Sequence, residues 1–406
     1  MKALEDQQVS AGYIQVLRNL YIGQTAKVKT DKLSRSFRIQ RGTKQGDPLS
    51  SLLLNAILEK VMRQAKQTFQ TKTYGIKFGN SPETRLTNLR FADDVLLTGR
   101  SLNQVREMLS IVQIEAQKCG LELHPEKTKI ISSTNRNGRP VAKHAKIGGM
   151  KIQILPLQES LKYLGCQISF GEMQDIELRH RIRGGWAKFM EHKQELTGKH
   201  YSLNSRLKLF DAIITPTILY GSECWTVTRH LEDVLRTTQR KMLRLILGRG
   251  RRRVQAQNQD DESSGGDVQS NASEKDIPET QDSESEQNEL EPWVDWIRRV
   301  THEAEATLKR LNIKTWVEQA RTRKWRWAAN VLCRHGEERW ARVAFHWDPR
   351  MHYDAPRPSA RRKAGGPRKR WHDEIEKFWT DTRHYTSAPH QKHLWDESEE
   401  QFVLRM

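Results

Sequence analysis

The chain has 406 residues, a formal net charge of +19 and a sequence pI near 9.8. That length favours two or three folding units over a single domain, and the charge indicates a polyanionic partner, most simply a nucleic acid. No apolar run approaches the roughly 20 residues of a membrane span, so we expect no membrane association and an intracellular location, nuclear or cytoplasmic. The four widely spaced cysteines argue against a disulfide framework or a structural zinc site.

The charge is unevenly distributed along the chain. Residues 254–292 contain 12 acidic residues and one lysine, a net charge of −11, and are rich in Ser, Gln and Asn. Such a segment cannot bury enough apolar surface to offset the entropy of ordering it. The composition therefore predicts a disordered acidic linker between two basic regions, residues 1–253 at +22 and residues 293–406 at +8.

The first region predicts helices that alternate with short strands. Apolar spacing predicts a helix over residues 13–21, followed by a hairpin with arms near Ala26 and Phe37. A second helix is predicted from Pro48 to about residue 70, with Asp47 as its N-cap. A hairpin around residues 86–98, a helix after Ser101 and strands at 121–123 and 129–131 complete an α+β pattern, in which helices cover one face of an antiparallel sheet.

Residues 172–248 have a helical pattern. In its last helix Leu231, Leu235 and Leu245 belong to the predicted buried stripe. The predicted exposed side carries three cations, Arg240, Lys241 and Arg244. A basic helix face is most often simply solvated. The arginine-rich run 249–253 that follows is also typical of a nuclear-import signal.

The final region, residues 293–406, holds ten of the twelve tryptophans, several of them next to arginines. Tryptophan at helical spacing is most often packed in a core, although stacking on nucleic-acid bases is an alternative use. The sequence predicts a mostly helical, basic, Trp- and Arg-rich region.

The pair Asp93-Asp94 lies between the two predicted strands of the hairpin at 86–98. Two adjacent carboxylates at the tip of a hairpin suit the binding of divalent metal ions. The structural alternative is a solvated turn, because Asp is a favoured turn residue.

Four stretches in order resemble the reverse transcriptases of LINE-type non-LTR retrotransposons. They are Arg-Gly-x-x-Gln-Gly-Asp-Pro-Leu-Ser at 41–50, Phe-Ala-Asp-Asp at 91–94, Gly-Leu-x-Leu-x-x-x-Lys-Thr at 120–128 and Tyr-Leu-Gly at 163–165. The resemblance implies an RNA-directed DNA polymerase that binds an RNA template, a DNA primer or hybrid, and deoxynucleotide triphosphates. It also implies a right-hand fold with partial fingers and palm over 1–170, a helical thumb-like region over 171–253, the linker over 254–292 and a C-terminal region over 293–406.

The resemblance also implies roles for individual residues. Asp93 and Asp94 are expected to hold Mg²⁺ ions in a two-metal site. Gln45 and Gly46 are expected to line the nascent base pair, and Lys127 to lie near the incoming phosphates, although a strand-end lysine is also commonly just solvated. For Arg41, which opens the first stretch, a substrate contact and a structural role remain equally open.

In the thumb-like region the resemblance implies phosphate contact by Arg240, Lys241 and Arg244. Two departures from the family pattern affect the expected activity: His124 stands where the family has Asn, and the strand that carries the family's third catalytic carboxylate has no counterpart after Met1. We therefore expect an incomplete metal site in an N-terminally truncated polymerase. The alternative is a catalytically inactive, nucleic-acid-binding remnant of such a polymerase.

Overall fold

The structure, a computed structural model, describes residues 1–39, 42, 46–78, 84–133, 135–136, 139–140, 142–254, 289–334, 340–346, 369–382 and 391–405. These residues form two compact units. One comprises residues 1–180, 224–226 and 325–399, and the other comprises 181–223, 227–324 and 400–406. Most of the predicted linker, residues 255–288, lies outside the described part of the chain. Helices interspersed with small sheets confirm the α+β class.

The helices alternate with strands up to residue 168 and dominate after it. Their bounds are α1 Lys2–Glu5, α2 Ala11–Tyr21, α3 Pro48–Thr71, α4 Leu102–Lys118, α5 Met173–Glu191, α6 Lys193–Thr197, α7 Leu203–Ile218, α8 Arg229–Leu247, α9 Trp293–Arg310, α10 Trp316–Arg334, α11 Trp340–His346, α12 Asp373–Asp381 and α13 Lys392–Arg405. No helix in the described ranges has the length and apolar composition needed to cross a membrane.

The strands are short. Their bounds are β1 Thr25–Ala26, β2 Phe37–Arg38, β3 Ile76–Lys77, β4 Arg85–Leu86, β5 Asn88–Phe91, β6 Asp94–Leu97, β7 Lys129–Ile131, β8 Asn135–Arg136, β9 Arg139–Pro140, β10 His144–Ile147, β11 Met150–Leu155, β12 Leu161–Tyr163, β13 Cys166–Ile168, β14 Arg253–Val254 and β15 Glu289–Leu290. Within the described residues, consecutive strands pair antiparallel in six two-stranded ladders. A larger, three-stranded sheet has the order β10-β11-β7, with β7 parallel to β11.

Helix α3 packs along α4 to form one core of the first unit. Asp47 caps α3 by accepting a hydrogen bond from the backbone N–H of Leu49 at 3.0 Å, and Pro48 occupies the first helical position, as predicted. Phe69 and Met108 are fully buried where the two helices meet. An adjacent face of α4 contributes Leu109 to a second core beneath the β10-β11-β7 sheet.

The strands depart from the single antiparallel sheet that the sequence predicts. In the described residues they form small separate ladders, and the larger sheet contains a parallel pair. The strand predicted over 121–123 is wrong, because this segment follows α4 without entering a ladder. Its leucines still serve the cores, since Leu121 packs against the α3–α4 core and Leu123 against the sheet core. The alternating apolar residues of 121–123 therefore indicate that their side chains are buried, but not that the segment pairs as a strand.

An aromatic cluster from the C-terminal region completes the first unit. Trp325 lies within about 4.4 to 5.2 Å, ring centroid to ring centroid, of Phe378, Trp379 and Trp395. Its indole N–H donates to the backbone oxygen of Trp395 at 2.8 Å. These four aromatic residues are buried, which confirms core packing as the main use of these tryptophans.

The second unit is a helical assembly of α6, α7, α8, α9 and parts of α5, α10 and α13. Within it, α8 packs on both α7 and α9. Trp316 is fully buried, stacks on Phe210 and donates its indole N–H to the hydroxyl of Thr215 at 2.8 Å. Gly185 of α5 lets α7 approach closely, because a Cβ atom there would meet Ile218 at 2.2 Å.

Helix α8 ends at Gly248 in the left-handed conformation, a common C-terminal cap. Its buried stripe includes Leu231 and Leu235 as predicted. The prediction that Leu245 is buried is wrong, because this residue is 47% exposed. Leu243 and Ile246 are buried instead. The true buried face is therefore rotated slightly from the predicted one, with consequences for the cations of this helix.

Candidate functional site

The pair Asp93-Asp94 lies at the tip of the hairpin β5–β6, as the sequence predicts. Phe91 pairs with Asp94, so Ala92 and Asp93 form a two-residue loop. Ala92 has φ of +50° while Asp93 has a negative φ, the sign pattern of a type II′ turn, which suits the twist of a hairpin. A left-handed alanine costs roughly 1–2 kcal/mol, so this tip is held in place by the strands that flank it.

Packing beneath the hairpin fixes its orientation. Val95 and Leu97 lie against the α3–α4 core. Because successive side chains of a strand point to opposite faces, Asp94 and Leu96 lie on the other face of β6. Both aspartates are exposed. A rigid apolar base thus presents two adjacent carboxylates away from the core.

A cleft of about 710 Å³ opens beside these carboxylates. It brings together residues that are far apart in sequence. Lining it are Asp93 and Asp94, Lys127 with the neighbouring His124, and Tyr163 from a third segment. Three of the four stretches that carry the family resemblance therefore meet at one cavity.

Tyr163 precedes the turn of the hairpin β12–β13. Leu164 and Gly165 form that turn with φ of +49° and +80°, which is the sign pattern of a type I′ turn. Burial, and then the negative charge of Asp94, raises the pKa of the Tyr163 phenol. The phenol consequently stays protonated at neutral pH and is available as a hydrogen-bond donor beside Asp94. The sequence resemblance placed Tyr163 in a stretch similar to the family's primer-grip turn, but only the fold brings it beside Asp94.

The charged side chains that line the cleft do not pair with one another. Within the described ranges Asp93, Asp94 and Lys127 form no ion pair or side-chain hydrogen bond. Elsewhere in this unit carboxylates are paired: Glu59 accepts from Arg63 and Arg90, which lower its pKa. Unpaired charges that face a cavity are free to bind a ligand.

The donor atoms of the pair fit a hard divalent cation, since Mg²⁺ prefers carboxylate oxygens. Asp93 and Asp94 would hold it. Among the described residues, however, no third His, Cys, Asp or Glu lies close enough to these two to complete a set of three ligands. Within the described residues the site is therefore a two-carboxylate site.

The stretch at 41–50 is described in part. Gly46 has φ of +87°, which only glycine adopts readily, and, apart from its chain neighbours, no described residue has an atom within 4 Å of the position of an added Cβ. That leaves open space over its backbone. Gln45 and Arg41, the other predicted substrate contacts of this stretch, lie outside the described residues.

The three predicted phosphate-binding cations of α8 occupy different surroundings. Arg240 donates to Glu305 of α9 at 2.7 Å, and Arg244 donates to the Thr301 hydroxyl at 2.9 Å. Burial, with the nearby charge of Arg240, lowers the pKa of the Arg244 guanidinium. Lys241 points elsewhere: it is exposed, and its ammonium lies 5.6 Å from the centre of the Trp186 ring.

Sequence reasoning missed the partners of these arginines on α9. The signal existed as matched spacing, because Arg240 and Arg244 are four residues apart and so are Thr301 and Glu305. Antiparallel packing of α8 and α9 brings the two pairs into register. The spacing alone does not show which helix packs against α8.

Most of the residues that line the cleft lie in a segment that is similar to a known protein family. Residues 2–168 match the family model described as reverse transcriptase (RNA-dependent DNA polymerase). Over this segment the chain is therefore similar to reverse transcriptases. The segment contains all four stretches noted in the sequence, and the last of them, Tyr-Leu-Gly at 163–165, lies close to its C-terminal end. Reverse transcriptases generally use Mg²⁺, an RNA template and nucleotide substrates.

Relatives identify the type of reverse transcriptase. The chain is 33% identical over 163 residues to a transposon-derived protein of Caenorhabditis elegans, covering 40% of this chain and 57% of that protein. It is also similar to Pol polyproteins of the retrotransposable element R2. Identity is 27% over 218 residues in Popillia japonica, with 52% of this chain and 34% of the relative covered. It is 26% over 255 residues in Drosophila melanogaster, with 58% and 22% covered.

These similarities confirm the predicted relationship to LINE-type non-LTR reverse transcriptases. The chain spans a little over half the length of the C. elegans relative and about a third or less of the R2 polyproteins.

Proposed function

We propose that the cleft at Asp93 and Asp94 is the nucleotidyl-transfer site of an RNA-directed DNA polymerase, acting on an RNA template and a DNA primer with deoxynucleotide triphosphates. The observation that carries the proposal is the convergence of the free carboxylates, Lys127 and Tyr163 on one cavity. A solvated turn, the structural alternative for the aspartate pair, does not account for this convergence.

Each residue has a role that its surroundings support. Asp93 and Asp94 would hold Mg²⁺, which would supply activation of the primer hydroxyl and neutralisation of charge on the triphosphate. Lys127, exposed on the cleft wall, attracts the phosphates of the incoming nucleotide. The protonated Tyr163 phenol donates a hydrogen bond towards the primer end or the Asp94 carboxylate.

The template side of the proposal rests on the stretch at 41–50. Gly46, which has open space over its backbone, permits close approach of the nascent base pair. We propose that Gln45 lies beside that pair and that Arg41 contacts the template strand. Exchange of Gly46 for alanine should impair nucleotide incorporation, and unaltered incorporation would refute the close approach.

The second unit supplies the proposed thumb. We propose that Arg240, Lys241 and Arg244 of α8 contact the phosphates of the primer–template hybrid, with Lys241 as the strongest contact. Lys241 is exposed, whereas Arg240 and Arg244 must share their hydrogen-bond donors with α9. The salt dependence of binding tests this ranking, as set out in the Discussion.

We also propose the linear division of the chain into fingers and palm over 1–170, thumb over 171–253, acidic linker over 254–292 and C-terminal region over 293–406. Limited proteolysis should cut the linker first, as its composition predicts. Because α8 and α9 pack together within one unit, the fragments should co-elute after cleavage. Early cleavage within α8 or α9 would contradict this division.

A second candidate function is nucleic-acid binding without catalysis. It is favoured by one observation, the absence of a third ligand beside Asp93 and Asp94 among the described residues. Two carboxylates from one hairpin leave a metal ion under-coordinated. A protein with this function would bind nucleic acid through its basic surfaces but would not catalyse nucleotidyl transfer.

Primer extension on an RNA template with Mg²⁺ tests the two candidates. Because the described site holds two carboxylates, we expect residues 1–406 to extend a primer slowly at most. Asp93→Asn should lower any extension by about a hundredfold or more, since it removes charge from the reacting centre. Asp233→Asn, an exposed aspartate on α8, is the control and should leave the rate unchanged.

The outcomes separate the candidates. Extension that Asp93→Asn leaves intact would place the chemistry outside this cleft. Absent extension with tight binding of an RNA–DNA hybrid in EDTA would select the non-catalytic function. Asp93→Asn should leave that binding nearly unchanged, because without metal the carboxylates only repel phosphate.

A further inference from the structure

The end of α8 and the start of α9 are tied together by the backbone. Beyond α8, Arg253 pairs with Leu290 in the β14–β15 ladder, and the N–H of Glu291 donates to the oxygen of Arg252 at 2.8 Å. The Arg251 guanidinium donates to the backbone oxygens of Leu290 and Glu291. The arginine-rich run is thus a folded element that crosses the N-terminal end of α9.

Two tryptophans stand at that end of α9. Trp296 is fixed, because its indole N–H donates to the backbone oxygen of Arg249 at 2.9 Å. Trp293 rests on it, with ring centroids 4.7 Å apart and an angle of 38° between the rings. Trp293 nonetheless remains 58% exposed. One ring is anchored, and the other presents a free face to solvent.

Among the described tryptophans of the C-terminal region, Trp293 is the most exposed, followed by Trp340 at 48%. Trp316 and Trp395, for example, are buried to within 1% of full burial. Beside Trp293, the side chains of Leu290 and Val294 are also more than half exposed. A contiguous exposed apolar patch that includes a pre-positioned indole is typical of an interaction site rather than of a solvated helix end.

The charge around the patch indicates the kind of partner. Arg249 and Arg299 are neutralised by Glu303 and Glu291. The side chains of Arg252 and Arg253 form no ion pair or hydrogen bond with any described residue. Two free guanidinium groups therefore lie on the segment that adjoins the exposed ring, and they favour an anionic partner.

We propose that Trp293, Trp296, Arg252 and Arg253 form a binding platform for single-stranded nucleic acid. A base stacks on the free face of Trp293, and the flanking phosphates are bound by Arg252 and Arg253. Stacking requires an unpaired base, which is why the partner is a single strand and not a duplex. Nucleic acid fits this tryptophan platform better than an apolar protein surface does, because the free charges beside the ring need anionic partners. The proposal does not depend on catalysis at Asp93.

Fluorescence anisotropy tests the platform, with the full 406-residue chain in EDTA and labelled oligo(dT) and oligo(U) of equal length. Trp293→Ala should weaken binding of both strands roughly tenfold, the effect of losing one stacked base. Trp293→Phe, which keeps an aromatic face, should recover most of the affinity. The double exchange of Arg252 and Arg253 for glutamine should lower affinity and flatten its dependence on salt.

Three controls make the result specific. Arg298→Gln removes a charge from the same helix on a face turned away from Trp293, and should have little effect. Tyr13→Ala removes an even more exposed aromatic ring, 72% against 58%, from α2 and should also have little effect. A duplex of the same sequence should bind Trp293→Ala and the parent chain equally. Trp293 is exposed, so Trp293→Ala should retain the thermal unfolding midpoint of the parent.

Several outcomes would overturn the platform. Unchanged oligo(dT) and oligo(U) affinity in Trp293→Ala would do so. An equal loss for duplex and single strands would also do so, because stacking would then not be the cause. If Trp293→Ala left strand binding intact but abolished self-association in ultracentrifugation, the patch would be a contact between copies of the chain.

Discussion

The hairpin β5–β6 and the helix pair α8–α9 use charged residues in opposite ways. In the hairpin, apolar packing and the ion pair of Arg90 with Glu59 hold the element in place, and Asp93 and Asp94 are left free to face the cleft. In the helix pair, Arg240 and Arg244 contribute to packing through Glu305 and Thr301. A charge on a short, strained turn has no structural task, whereas a charge on a long amphipathic helix readily finds one. A cationic side chain on a helix can therefore be assigned to ligand binding only when its contacts in the tertiary structure are known.

The largest effect is expected where a helix charge is buried. Arg321 and Glu232 form an ion pair whose side chains are 9% and 12% exposed, and Arg321 also donates to the backbone oxygen of Val403 at 3.0 Å. Glu232→Ala should lower the free energy of unfolding by about 3–5 kcal/mol, because it leaves a buried guanidinium unpaired. Unfolding in a chemical denaturant, compared between Glu232→Ala and the parent chain, measures this loss of free energy of unfolding.

The neighbouring Asp233 is the matched control. Its side chain is 68% exposed and pairs with Arg236, so Asp233→Ala should change the free energy of unfolding by less than about 1 kcal/mol. Equal losses for the two variants would show that burial does not distinguish these ion pairs.

A smaller effect should separate the three cations of α8. Lys241→Glu should lower the slope of log affinity against log salt for an RNA–DNA hybrid by at least roughly 0.7–0.9, the contribution of one lost phosphate contact. Arg240→Glu should change the slope less, because Glu305 already neutralises Arg240. Titration at several salt concentrations provides both slopes.

Removal of the charge of Glu305, the ion-pair partner of Arg240, tests the same difference between Arg240 and Lys241. Glu305→Gln should raise hybrid affinity at low salt, since it frees the guanidinium for phosphate. If Arg240→Glu and Lys241→Glu reduced the slope equally, packing on α9 would not withdraw Arg240 from binding.

The smallest effect is a pH dependence at the start of α9. Arg299, together with the backbone N–H of Arg252, holds the pKa of the Glu291 carboxyl at about 2, against a usual 4.5. A lowered pKa stabilises the folded state fully above pH 4.5, and this contribution disappears as the pH falls towards 2. The contact between residues 249–253 and α9 should loosen in that range.

Tryptophan emission followed from pH 6 to pH 2 should report this change, because Trp296 is hydrogen-bonded to Arg249. Glu291→Gln should remove the part of the transition that arises from this carboxyl. A transition identical in the parent and in Glu291→Gln would assign the acid response to other groups.

The sequence alone determined the elements and their chemistry. The capping of α3 by Asp47, the two-strand hairpin around Asp93 and Asp94 and the helical run after residue 172 were all predictable, because they depend on local propensity and on spacing within one segment. The family relationship was also readable, since its motifs are contiguous stretches.

Tertiary structure decided which segments meet. Sequence could not show that Tyr163 lies beside Asp94, that Arg240 is bound by Glu305, or that Trp293 stays exposed while Trp316 is buried. Each of these facts depends on packing between segments distant in the chain, which local periodicity does not specify. The strand predicted at 121–123 failed for the same reason: its apolar residues were filling two cores, and burial rather than strand pairing set their pattern.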